Sequence, residues 1–197
     1  GFIRYLDDPR SFFEPESVFA QLLWVGKGSI LYQFPNHLPL HTVLDRLELT
    51  MEICSEAQNY NEEWPSDITL WINDVEIGTW TSPGDFGKKR GQLTPSWWLD
   101  RFTQYGFLKS WLVTQEGSFI DGVKISDVKL GELKISPTDP TIAVRIGNKE
   151  GAKNPRGFNL FGRKFGNYPQ DIVLTLHYVK DHSVEEDLEK ETVDKAI

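Results

Sequence analysis

The feature that most restricts this chain is strict alternation of apolar and polar residues over long segments. In DRLELTMEICSE, Leu47, Leu49, Met51 and Ile53 fall on one side, and Glu48, Thr50, Glu52 and Cys54 on the other. DITLWIND sets Ile68, Leu70 and Ile72 against Thr69, Trp71 and Asn73. TIAVRIGN sets Ile142, Val144 and Ile146 against Ala143 and Arg145. DIVLTLHYV sets Ile172, Leu174, Leu176 and Tyr178 against Val173, Thr175 and His177. Successive side chains on a strand point to opposite faces, so a period of two sustained this long predicts half-buried strands. Shorter strand candidates are residues 20–25, 29–34, 107–114, 123–126 and 128–135. Asn73-Asp74 and Glu116-Gly117 supply turns.

Helix is scarce. TPSWWLDRFTQYG predicts one, with Thr94 as N-cap, Pro95 at the first helical position and Gly106 past the end. In the acidic segment 181–197, Ser183 and Glu186 have capping-box spacing, which predicts a frayed helix or disorder there. About nine strands with one or two short helices imply an all-β fold, a two-sheet antiparallel β-sandwich. The aromatic loops 58–67, 82–97 and 149–170 are too long for a minimal immunoglobulin sandwich. They favour a jelly-roll, galactose-binding-domain-like arrangement over residues 1–180, followed by the acidic tail.

Charge and cysteine content narrow the function. Of 197 residues with net charge −8, the last seventeen hold seven carboxylates against two lysines, and the remainder is only mildly acidic. Neither part is the basic surface that nucleic acid requires. Cys54 is the single cysteine, which excludes a disulfide framework and a cysteine-based zinc cluster and fits a reducing, cytoplasmic setting. No apolar run is long enough to span a bilayer. No metal or cofactor motif is present: His37 and His41 are separated by Pro39, and no phosphate loop or nucleophile elbow occurs. Glu48 and Glu52 share a strand face but lie about 13 Å apart at strand rise, wider than a glycosidase pair, so a non-catalytic role is expected.

Three constellations carry recognition chemistry. On the outer strand faces, Trp71, Arg145 and His177 would form a platform, a ring for stacking beside charged hydrogen-bonding groups, as a sugar requires. In GTWTSPGDFGKKRGQLTPSWW, Trp80, Phe86, Trp97 and Trp98 anchor a loop that would hold Asp85 and Arg90 at a pocket mouth. In NPRGFNLFGRKFGNYPQD, glycines recur among aromatics, with Asn159 and Arg163 as polar contacts.

The stretches DITLWINDVEIGTWTSPGDFGKKRGQLTPSWW, QYGFLKSWLVTQEGSFIDGVKISDV and GFNLFGRKFGNYPQDIVLTLHY resemble the C-terminal region of bacterial predicted transcriptional regulators. In those proteins an ArsR-type or DeoR-like winged-helix DNA-binding domain precedes this region. The resemblance covers roughly residues 15–180. It implies an effector-sensing or oligomerising module, with DNA reached only through an N-terminal domain that this sequence lacks. The expectation is therefore a regulatory domain that takes a small-molecule effector, a carbohydrate or sugar derivative. Trp71 and Trp80 would stack on it; Asp85, Arg90, Arg145, Asn159, Arg163 and His177 would bond it. The alternatives are a carbohydrate-binding module of an extracellular enzyme, and a pure dimerisation domain acting as a homodimer.

Overall fold

The computed structural model describes residues 2–4 and 7–181. Among them, eleven strands form two antiparallel sheets that pack face to face, an all-β sandwich. The large sheet contains β1 (Leu22–Val25), β3 (Thr42–Ser55), β6 (Phe107–Thr114), β7 (Gly117–Ile120), β8 (Val123–Ser126), β10 (Phe158–Phe161) and β11 (Val173–Lys180). The small sheet runs in the order β2 (Ser29–Pro35), β9 (Thr141–Gly147), β4 (Ser66–Ile72), β5 (Val75–Ser82). The acidic segment 182–197 lies outside the described residues.

β3 organises the molecule. Its fourteen residues are long enough to serve two neighbours on one edge. β11 pairs with Thr42 to Thr50, and β10 with Glu52 to Ser55. β6 takes the opposite edge, from Leu47 to Ile53. The alternation read in DRLELTMEICSE holds: Leu47, Leu49, Met51 and Ile53 face the small sheet and are fully buried. There they meet Ile68, Leu70, Ile72, Ile142, Val144 and Ile146, with Trp111 filling the same core. Each such side chain contributes about 1.5–3 kcal/mol on burial. Near its end β3 is buried on both faces, because loops 83–106 and 162–171 cover Glu52 and Cys54.

Three local expectations are corrected. Residues 94–106 form no helix but two tight turns, Trp98 N–H donating to Pro95 O and Phe102 N–H to Leu99 O. The Thr94 hydroxyl, read as a cap, instead donates to Gln104 O at 2.6 Å. Arg90 donates to Pro95 O and Trp98 O, two carbonyls that a helix would need for its own amides. Residues 128–135 form no strand: Leu130–Leu133 is a single 3-10 turn that ends on Lys134 in the left-handed region. Phe158–Phe161, read as loop, is a strand between β1 and β3. β5 and β7 are further strands beyond those expected, and each is joined to its predecessor by a predicted turn.

Candidate functional site

One end of the small sheet carries an open depression of about 630 Å³. Three segments distant in sequence build it. The β4–β5 turn supplies Asn73 and Val75, the 3-10 turn supplies Glu132, Leu133 and Lys134, and the approach to β9 supplies Asp139, Pro140 and Thr141. Asn73 and Asp74 both have positive φ, as a two-residue hairpin turn between right-twisted strands requires. The Asn73 carboxamide then ties the three segments together. Its Oδ1 accepts from Ala143 N–H at 3.0 Å, and its Nδ2 donates to Leu133 O at 3.0 Å. Asp139 accepts from Ser136 N–H, and Glu132 from Lys129 N–H, so both rim carboxylates brace their own turns. Val75, Leu133 and Pro140 are the apolar part of the lining; Lys134 and Thr141 contribute an ammonium and a hydroxyl. The combination suits a small molecule with both an apolar face and hydroxyls or an anionic group.

Two residues back from Asn73 along β4 stands Trp71. Trp71 and Arg145 face each other directly across β4 and β9, and the guanidinium carbon lies 3.7 Å from the ring centroid. The ring is only 7% exposed. It therefore offers a stacking surface only once Arg145 moves aside. The expected platform is divided: His177 belongs to β11 of the large sheet, where its Nε2 lies 4.0 Å from Glu48 Oε2. Trp80 lies opposite Ile68 and closes the edge of the core, edge-on to Trp111, with the Lys109 amine 4.9 Å from its ring.

Asp85, expected at a pocket mouth, and Asn159, expected as a ligand contact in another loop, come together in the interior. Asp85 is fully buried and accepts from Ala57 N–H, the Thr103 hydroxyl and Asn159 Nδ2. Asn159 Nδ2 also donates to Ser55 O at 2.6 Å, while its Oδ1 is buried without a hydrogen-bond partner. Cys54 Sγ sits 3.9 Å from Asp85 Oδ1. Burial pushes the Cys54 thiol well above its ordinary range, with Asp85 adding to the effect, so the thiol is unreactive. Burial likewise pushes Asp85 up to about 7 against its hydrogen-bond donors, and Glu56 beside it up to about 7. A second buried carboxylate, Glu52, accepts from the amides of Gly106, Asn167 and Tyr168 and pins two loops together. Arg90 pairs with Asp100, and Arg163 with Asp171, each within its own loop.

Sequence reasoning grouped Trp71, Arg145 and His177 on outer strand faces, of which only the first two adjoin, and it missed Glu56, Thr103 and the Lys134 rim. The Ser136-Pro137-Thr138-Asp139 run is a turn signal that marks the rim loop. No protein-family model matches the chain, and no curated protein matches it.

Proposed function

We propose that this domain is a non-catalytic, effector-sensing module of a transcriptional regulator. Its ligand is a sugar or sugar derivative held at the end of the small sheet. The observation that carries this reading is the open depression of about 630 Å³, where Val75, Leu133 and Pro140 lie beside Lys134 and Thr141. Its volume falls within the range that small-molecule sites occupy, and its mixed lining matches a pyranose, which has an apolar C–H face and a hydroxylated edge. Ligand contact at Asn73 and Lys134 would reach β4, β9 and the 3-10 turn at once, because Asn73 bonds to both Ala143 and Leu133. That is the differential contact an effector needs to bias a companion domain. Titration calorimetry across neutral and acidic monosaccharides tests it. The expected result is binding of at least one class, weakened about tenfold or more, roughly 1.4 kcal/mol, by Lys134→Ala. No heat from any sugar, or unchanged affinity in the variant, contradicts the proposal.

A second reading, an interaction module, is favoured by the N-terminal arm. Two 3-10 turns, Pro9–Phe13 and Pro15–Phe19, leave Phe13 89%, Val18 78% and Phe19 76% exposed. Large apolar side chains this exposed on one short arm are the kind of surface that partner contacts use. Sedimentation showing a tight dimer that Phe13→Ser disrupts, with no sugar binding, would select this reading.

A further inference from the structure

Arg145 is half-buried, and among the described residues its one partner is the Trp71 ring. Its cross-strand neighbours are Trp71 on β4 and Leu31 on β2, and neither side chain accepts a hydrogen bond. Three carboxylates of this end of the sheet are committed elsewhere: Glu76 to Lys149 at 2.5 Å, Glu132 to Lys129 N–H and Asp139 to Ser136 N–H. A guanidinium carries five N–H donors, and leaving them without acceptors is costly once the group is drawn out of water. The stack with Trp71 also sets the direction of those donors. With the guanidinium carbon 3.7 Å from the ring centroid, the group lies flat on the indole and its N–H bonds point outward around the rim. The same pair adjoins the depression. Thr141, Ala143 and Arg145 share the outer face of β9, and Thr141 lines the depression. Asn73, which lines it too, is bonded to Ala143; Trp71 and Arg145 form the next outward pair on the same two strands, about 7 Å on at strand rise. Ala143 between them carries a single methyl, so the face stays low there.

We infer that Arg145, held flat on Trp71, is the carboxylate-binding fork of the proposed site, and that the ligand is an acidic sugar. This rests on the sugar reading of the depression and names its ligand class. Arg145 offers a carboxylate two parallel N–H donors, which is where arginine differs from lysine. Lys134 on the rim adds a point charge. Trp71 is a positioning residue: it touches no ligand and keeps the fork from turning. Glu132 and Asp139 on the rim oppose a doubly charged phosphate more than a singly charged carboxylate, so a sugar acid is preferred to a sugar phosphate.

The experiment is titration calorimetry of the full chain with paired neutral and acidic monosaccharides, glucose with glucuronate and galactose with galacturonate, and with glucose 6-phosphate. The acid of at least one pair should bind about tenfold or more tighter than its neutral partner and than the phosphate. Arg145→Gln should bring the acid down to its neutral partner. Arg145→Lys, which keeps the charge and loses the fork, should lose most of the preference. Trp71→Leu should lower it, and Trp71→Phe, which keeps a ring beneath the guanidinium, should restore it; a merely structural role would not move the ratio of acidic to neutral binding. No preference for the acid in either pair, tightest binding by the phosphate, or a preference that survives Arg145→Gln overturns the inference and leaves the sugar reading standing. No heat from any of the five overturns both.

Discussion

Replacing Glu52 by glutamine isolates the joint that holds the two aromatic loops on the large sheet. Glu52 is 1% exposed. Its Oε1 accepts from Gly106 N–H at 2.8 Å and Asn167 N–H at 2.9 Å; its Oε2 accepts from Asn167 and Tyr168 N–H, both at 3.0 Å. Glutamine preserves the shape but turns one oxygen into an NH₂ group. Either orientation of that amide sets a donor against at least one backbone N–H, and the surviving bonds lose their charged acceptor. Bonds to a charged group contribute about 1.5–3 kcal/mol each, so losing two predicts a cost of about 3–6 kcal/mol. For a chain of this size that is a fall in Tm of roughly 10 °C. Urea unfolding followed by tryptophan fluorescence measures it, with an unchanged slope showing that the unfolded state is unaltered. A loss below about 0.5 kcal/mol, the size of an ordinary surface change, would refute the reasoning, since it would mean that water satisfies those amides and the loops are not held by Glu52.

Gly166→Ala attacks the same joint from the other side: φ is +78° and a Cβ would lie 2.3 Å from Glu52 Oε1, so a loss of at least about 2 kcal/mol is expected in urea unfolding. Arg145→Ala should uncover the Trp71 ring, moving emission to longer wavelength and costing about 1 kcal/mol, and the spectral change should vanish in a Trp71→Phe background. Asp85 and Glu56 are pushed up to about 7 from 3.8 and 4.5, so between those limits the folded state binds more protons than the unfolded one. Stability should therefore be fullest near pH 4, fall as pH rises to about 7 and level off above; Asp85→Asn should flatten the fall, and a rise in the urea midpoint across that window would contradict it. Asp67 and Asp171 sit below the usual carboxylate range, so their loss of stability is confined to more acidic solutions and leaves that window clear.

Alternation carried most of the architecture, because a strand with one wet face must write its period into the sequence. It failed where that condition failed. FNLF in β10 is buried on both sides and flanked by glycines, so it has no polar face to betray it. The capping signal at Thr94 was sound chemistry answered by a different partner, the carbonyl of Gln104. Trp71, Arg145 and His177 could be set on outer faces in advance because alternation fixes the face of each, but that β4 adjoins β9 while His177 lies on the other sheet comes only from the topology. The depression could not be foreseen. It depends on a left-handed Lys134, a 3-10 turn and a hairpin tip meeting from three separate segments. Asp85 and Asn159 were read as separate ligand-bonding groups, because sequence alone does not reveal that the loops around them close into a second small core of Cys54, Trp98, Phe161 and Phe165 and bury both.

The most direct test of the central claim is backbone amide mapping of the ¹⁵N-labelled chain during titration with the sugar that calorimetry selects. The account predicts saturable shifts at Asn73, Val75, Leu133, Lys134 and Thr141, extending to Trp71 and Arg145. Shifts confined to the large sheet or to the loop carrying Arg90, or no shift with any sugar, would contradict it.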